Sequence, residues 1–281
     1  MVEVFAPAKI NLTLHVTGQR ADGYHLLDSL VVFADIGDTI RAEPAGGLSL
    51  SIDGPQAAGL SAGADNLVLR AARLLDPEGT AALTLTKRLP VASGIGGGST
   101  DAAATLRALS QLWDRALPDT GTTAALGADI PVCLAAHPVR MRGTGELLTP
   151  CPALPALDVL LVNPRVEVST PAVFRGLASK TNPPMPENLP HWPDAAAFTG
   201  WLRGMRNDLL PSARAVCPEI DEALSLIADT GSAFAGMSGS GATCFGLYPP
   251  DGRSAASAAA KMTKRRPGWW IAAGSLLTDK S

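Results

Sequence analysis

Hydrophobic residues in the first third of the chain recur mainly at every second position. "NLTLHVTG" carries Leu12, Leu14 and Val16 in alternation, and "GLSLSIDG" does the same with Leu48, Leu50 and Ile52. A period of two predicts strands with one face buried. "ALTLTKRLP" repeats it with Leu83 and Leu85, whereas "DSLVVFADIGD" is apolar almost throughout and predicts a more deeply buried strand. Between them "ADNLVLRAARLLD" has helical spacing, with Asp65 expected as its cap. A second helix is expected over residues 99–113, where Leu106, Leu109 and Trp113 share a face.

At 150–156 the run "PCPALPA" breaks the pattern with three prolines, and the strand pattern "LDVLLVNP" follows. A domain boundary is expected here, giving an N-terminal domain over 1–152 and a C-terminal domain over 153–281. "SKTNPPMPENLPHWPD" reads as a loop, and "SARAVCPEIDEALSLIADTG" as a helix running through Pro218 and stopping at Gly231. "SAFAGMSGSGATCFGLYP" predicts strand, glycine turn, strand. "SAASAAAKMTKR" predicts a helix and "GWWIAAGSL" a closing strand. Strands and helices interleave, so the expected class is α+β with some crossover units.

Composition narrows the function classes. The 281 residues are 46% hydrophobic and 17% charged, which suits a globular chain and argues against disorder. A net charge of −3 gives no hint of a nucleic-acid-binding surface, and no nucleic acid is expected as a partner. Cys133, Cys151, Cys217 and Cys244 are far apart without a CxxC, and free thiols in a reducing compartment are expected. The start "MVEVFAPAKINL" has no signal-peptide pattern, and no stretch reaches about 20 apolar residues. A cytoplasmic protein without a membrane partner is expected.

The chemistry concentrates in "PVASGIGGGSTDAAATLRAL". Gly94, Gly96, Gly97 and Gly98 fill four of five positions, each costing about 0.5–1 kcal/mol of ordering entropy relative to alanine. Glycines before a helix let the chain wrap an anion, because the first turn leaves about four N–H groups unpaired and carries roughly half a positive charge. Ser99 and Thr100 stand where a hydroxyl caps the helix, bonds a phosphate oxygen or approaches Mg²⁺; Asp101 suits the first turn. Two familiar nucleotide motifs fail: Gly98 is followed by Ser99 rather than lysine, and Ser99 is a poor third glycine of a dinucleotide fingerprint. A plain strand-to-helix connection stays open. A second cluster, "GMSGSGATCFG", supplies Gly236, Gly239 and Gly241, so two backbone walls approaching one ligand and a plain hairpin are both open.

"PAKINLTLHVTGQRADGYHLLDSL", "PVASGIGGGSTDAAA", "GADIPVCL" and "MSGSGATCFG" occur in this order between residue 6 and about residue 247. Together they resemble the GHMP kinase superfamily, and the "PAKINL" and "DGYH" elements resemble the branch that acts on a cytidine diphosphate-linked methylerythritol. The resemblance implies an S5-like N-terminal domain and a ferredoxin-like C-terminal domain with the active site in the cleft between. It also implies phosphorylation by ATP, with Mg²⁺, of the methylerythritol 2-hydroxyl in non-mevalonate isoprenoid biosynthesis. Ile95 stands where the family often has Leu, and Thr100 where it often has Ser; neither removes a hydroxyl or alters the backbone demand.

The resemblance implies Lys9 and Asp129 as the catalytic pair, with Asp129 receiving the hydroxyl proton. An adjacent ammonium makes a carboxylate a weaker base. A loose phosphoryl-transfer transition state needs little early deprotonation, so such a base is sufficient. Without the resemblance, Lys9 reads as a surface lysine and Asp129 as a turn or cap residue. Pro90, Gly94, Ile95, Gly96, Gly97, Gly98, Ser99 and Thr100 would form the ATP loop, and Asn66 would lie near the adenine, although a first-turn Asn needs no ligand. Tyr24 and His25 would hold the cytosine, with Phe174 on its other side; Asn11 and Thr170 would bond the substrate. Core packing remains open for Phe174 and a sheet-edge role for Asn11. No protein ligand for Mg²⁺ is assigned, and His15, His137 and His191 are expected to be structural or exposed. Another small-metabolite kinase of the superfamily, acting on homoserine, mevalonate or a sugar, and a non-catalytic nucleic-acid-binding module on an S5-like fold are the alternatives.

Overall fold

The computed structural model describes residues 1–251 and 253–278; residues 252 and 279–281 of the expected C-terminal domain lie outside them. In chain order the first elements are β1 (Val2–Asn11), β2 (His15–Gln19), β3 (His25–Glu43), β4 (Leu48–Asp53) and α1 (Leu67–Leu75). Then come β5 (Ala81–Thr86), α2 (Gly97–Trp113), α3 (Thr120–Leu126), α4 (Ile130–Ala135), β6 (Val139–Gly143), β7 (Leu147–Pro150) and β8 (Asp158–Asn163). The chain continues with α5 (Thr170–Arg175), α6 (Ala195–Leu202), α7 (Leu210–Val216) and α8 (Glu219–Ala228). It finishes with β9 (Phe234–Met237), β10 (Cys244–Tyr248), α9 (Ser254–Arg265) and β11 (Trp270–Leu277). Among the described residues no helix is long and apolar enough to cross a membrane.

The described chain divides into two compact units. The first comprises Met1–Ala8, Gly37–Val91 and Gly96–Ala136; the second comprises Lys9–Ile36, Ala92–Ile95 and the chain from His137 onward. In the first, β5 pairs antiparallel with the end of β3, Ile40 opposite Leu85, and parallel with β4, Leu50 opposite Leu83. The parallel pair needs a crossover, and α1 supplies it. Ile40, Leu83 and Leu85 meet Val68 and Ala72 of α1 and Ala104, Ala108 and Leu109 of α2 in one core. Alanine at these α2 positions lets the helix lie close to the sheet, which fixes where its N-terminus points.

In the second unit β8 is central, antiparallel to both β10 and β11, and β9 pairs with β10. Leu160 and Val162 of β8 pack with Ile220, Ala223 and Ile227 of α8 and with Ala255, Ala258 and Met262 of α9. β2 and β6 pair with the first part of β3.

Three local expectations are corrected. α1 is capped by Asn66, not Asp65: its Oδ1 accepts from the Val68 amide at 2.9 Å. The strand pattern over 11–18 is interrupted at Leu12–Leu14, where Leu14 exchanges backbone bonds with Arg206 and Asp208 before pairing with β3 resumes at His15. The helix through Pro218 is two helices. Proline drives its predecessor out of the helical region, and Cys217 is extended at φ −136°, ψ 90°.

Candidate active site

Each unit carries its own share of the expected site residues. In the first, Gly96 adopts left-handed φ of 67° and is the N-cap of α2, without a side-chain cap bond. Neither Ser99 nor Thr100 is the cap, because both lie inside the first turn. Thr100 is fully buried and its hydroxyl donates to the carbonyls of Gly96 and Gly97 at 3.3 and 3.0 Å. Ser99 is half-buried. Pro90 is buried in the irregular segment between β5 and α2.

The glycines do not all serve one purpose. A Cβ at Gly97 would lie 3.2 Å from the Nζ of Lys87, whereas one at Gly98 would meet only Leu67 Cδ1 at 3.4 Å. Gly98 therefore has no packing reason to lack a side chain. Gly98 is itself exposed.

Asn66 uses both side-chain polar atoms locally: beyond its cap bond, Nδ2 donates to the Ser61 carbonyl at 2.7 Å. Asp129 precedes α4, half-buried, with αR backbone and no side-chain cap bond to the helix. Its position is set by its neighbour Ile130, which packs with Ala102 and Leu106 of α2.

In the second unit, Lys9 and Asn11 lie on β1 and are buried, 4% and 1% exposed. The amide of Lys9 donates to the Ile95 carbonyl at 3.0 Å, and the amide of Asn11 donates to Ser238 Oγ at 3.0 Å. Ser238 Oγ in turn donates to the Gly94 carbonyl at 2.9 Å. Asn11 Nδ2 donates to Ser29 Oγ at 2.8 Å. Gly94, at φ 76°, is pressed against the second glycine cluster. A Cβ there would lie 2.6 Å from Ser238 O and 2.7 Å from Gly241 O. The two glycine clusters thus touch each other at Gly94, and the segment Ala92–Ile95 is tied to β1 and to the β9–β10 turn.

His25 opens β3 and stacks on Phe174 of α5, ring centroids 4.7 Å apart. Burial lowers the His25 pKa, with Lys180 adding to it, so the imidazole is neutral at neutral pH. Its Nε2 is buried with no hydrogen-bond partner among the described residues. Tyr24 beside it is 62% exposed. Thr170, exposed at the start of α5, shares a 2.8 Å hydrogen bond with Ser240.

Sequence reasoning passed over Ser238 and Ser29, which hold Asn11 and the Gly94 carbonyl, and over the buried partners of Lys87. It also passed over Arg140, whose guanidinium forks onto Asp28 at 2.8 Å through both Nε and Nη2 and donates to the carbonyls of Pro186 and Glu187. That pair pins the proline-rich loop to β3. No motif announces these residues; they are ordinary polar types in unremarkable contexts.

A glycine-capped helix packed on a sheet through alanines, and a histidine stacked on phenylalanine, stand in a chain whose likeness to known proteins defines a phosphotransferase. Residues 66–137 match the model of the GHMP kinases N terminal domain and residues 194–267 that of the GHMP kinases C terminal domain. The chain is 64% identical to 4-diphosphocytidyl-2-C-methyl-D-erythritol kinase of Ruegeria pomeroyi over 277 residues, 98% of this chain and 99% of that one. It is 59% identical to the enzyme of the same description from Cereibacter sphaeroides, over 97% and 98% of the two chains. A crystal structure of 4-(cytidine 5'-diphospho)-2C-methyl-D-erythritol kinase superposes with a TM-score of 0.76 at 33% identity, covering 98% of each chain. The chain belongs to the GHMP kinases and, within them, to the family of 4-diphosphocytidyl-2-C-methyl-D-erythritol kinases.

Proposed function

We propose that this protein transfers the γ-phosphoryl group of ATP to the 2-hydroxyl of 4-diphosphocytidyl-2-C-methyl-D-erythritol, a step of non-mevalonate isoprenoid biosynthesis in the cytoplasm. A bond forms between the hydroxyl oxygen and the γ-phosphorus as the bond to the ADP oxygen breaks. Asp129 receives the hydroxyl proton, and Lys9 offsets the negative charge of the transferring group. The backbone amides of the first turn of α2, Gly97–Thr100, with Gly94–Gly96 leading into it, hold the nucleotide phosphates. A bound Mg²⁺ would supply charge neutralisation of the nucleotide phosphates. Among the described residues no group of three His, Cys, Asp or Glu is disposed to cage a cation, and Thr100 is fully buried. Such an ion would be held mostly by the phosphates and water, with the half-buried Ser99 hydroxyl placed to approach it.

The observation that carries the substrate assignment is the His25–Phe174 pair. A stacked, neutral imidazole with an unsatisfied Nε2, beside the exposed ring of Tyr24, fits a flat heterocycle with a hydrogen-bonding edge. Homoserine, mevalonate and sugars carry no such group. Asn11 and Thr170 supply polar contacts to the remainder of the substrate. Coupled ADP release with ATP–Mg²⁺ and each candidate acceptor tests the reading: turnover is expected with the cytidine diphosphate substrate and not with homoserine or mevalonate. The reverse pattern would refute it.

A further inference from the structure

Beneath the first turn of α2 lies a buried charge cluster to which the proposed reaction assigns no role. Lys87, just past the end of β5, is 3% exposed and places Nζ 2.5 Å from Asp38 Oδ2 and 2.6 Å from Asp101 Oδ2. Asp38 belongs to β3 and Asp101 to α2, so one ammonium ties the helix to the strand. Asp38 Oδ1 accepts from the backbone amides of Arg88 and Leu89 at 2.5 and 2.8 Å, fixing the segment that leads into the glycine loop. Gly97 and Asp101 are four residues apart and so share a helix face. That is why the lysine reaching Asp101 passes under Gly97, where a Cβ would stand 3.2 Å from its Nζ.

Such a cluster contributes no more stability than an apolar core of equal volume and often less, so its presence points to a role in orientation. Burial works against the Lys87 charge, but the two carboxylates outweigh it and raise its pKa. Burial raises the Asp101 carboxyl to about 7, Lys87 opposes the shift and Asp38 reinforces it; Asp101 Oδ1 has no partner among the described residues. Packing alone would be better met by leucine and methionine. What the cluster supplies is a directional link, with hydrogen bonds of fixed geometry, between the rigid sheet and the one helical turn whose amides are to hold phosphate.

We infer that Lys87 is a positioning residue for the nucleotide: clamped between Asp38 and Asp101 beneath Gly97, it sets the direction of the first turn of α2 and thereby the affinity for ATP. The inference rests on the reading of that turn as the phosphate site. The expected signature is selective. Lys87→Met and Asp101→Leu each remove the link, keep the volume, and raise the KM for ATP about tenfold while the KM for the cytidine diphosphate substrate moves less than about twofold. Their combination is no worse than either alone, because one link is lost only once. Asp101→Asn keeps an acceptor oxygen at position 101 and rescues most of the loss.

The test is steady-state kinetics in both substrates on the full-length protein, with Gly98→Ala as reference. A Cβ at Gly98 meets only Leu67, so that variant reports on phosphate approach and not on packing. If Gly98→Ala raises the KM for ATP and neither Lys87→Met nor Asp101→Leu does, the clamp inference fails and the phosphate site stands. If Gly98→Ala leaves it unchanged, the phosphate-site reading itself fails. Equal rises in both KM values, or no rescue by asparagine, would reduce the cluster to a structural ion pair and overturn the inference. Should Lys87→Met not fold, the Asp101→Leu and Asp101→Asn pair decides alone.

Discussion

The imidazole of His25 and the phenyl ring of Phe174 lie face to face, 4.7 Å between centroids and 30° between planes. Their elements, β3 and α5, are distant in sequence, and the stack is made by folding rather than by local chain geometry. An aromatic contact of this kind contributes about 0.5–1.5 kcal/mol beyond area burial. Because the proposed substrate site places Phe174 against the cytosine, Phe174→Ala is expected to raise the KM for the cytidine diphosphate substrate about tenfold and to leave the KM for ATP in place. Steady-state kinetics in both substrates checks this; an equal effect on ATP would assign Phe174 to packing alone.

In the proposed reaction Asp129 and Lys9 act in the chemical step. Asp129→Asn keeps shape and removes the proton acceptor, and is expected to lower kcat by roughly 10²–10⁴ with little change in either KM. Lys9→Ala should lower kcat by about 10² or more for loss of charge stabilisation. Wild-type turnover in either variant at saturating substrates would remove that residue from the mechanism.

Gly94 and Gly98 separate the two reasons for glycine in the loop. At Gly94 the φ of 76° and the carbonyls of Ser238 and Gly241, 2.6 and 2.7 Å from a would-be Cβ, oppose any side chain. Gly94→Ala should cost about 1–3 kcal/mol of stability. Gly98→Ala should not lower the melting temperature. Thermal unfolding of the two variants side by side tests the distinction, and equal destabilisation would contradict it.

Asp101 makes stability depend on pH with a definite sign. Its carboxyl rises from an ordinary 3.8 to about 7, chiefly through burial. The folded state then binds more protons than the unfolded one between those values, so this contribution is full below about pH 3.8 and is lost as pH rises to about 7. Asp101→Asn has no such titration. The stability difference between variant and wild type should move in favour of the variant as pH rises through that window. Denaturant melts across the range check it, and a difference independent of pH would contradict it.

Much of the fold was legible because its strands are half-buried. The alternation of Leu48, Leu50 and Ile52 and of Leu83 and Leu85 corresponds directly to β4 and β5, and the glycine turn between β9 and β10 stands where Gly239 and Gly241 place it. What misled were competing local bonds. Asn66 outcompeted Asp65 for the α1 cap, and Pro218 broke a helix whose apolar spacing continues across it. The Lys87 cluster was illegible for another reason: its carboxylates lie 49 and 14 residues from the lysine, and Asp101 alone reads as a residue of the helix's first turn. The Ser238–Gly94 bond joins residues 144 apart. Contacts of that separation are written in topology, and periodicity does not carry them.

The central claim is a phosphoryl transfer to one named hydroxyl, and the product tests it most directly. After incubation with ATP–Mg²⁺ and 4-diphosphocytidyl-2-C-methyl-D-erythritol, phosphorus NMR should show one new phosphomonoester resonance, formed in step with ADP and coupled to the methyl-bearing C2 position. A phosphate on another hydroxyl, or ADP formed with the acceptor unchanged, would contradict the account.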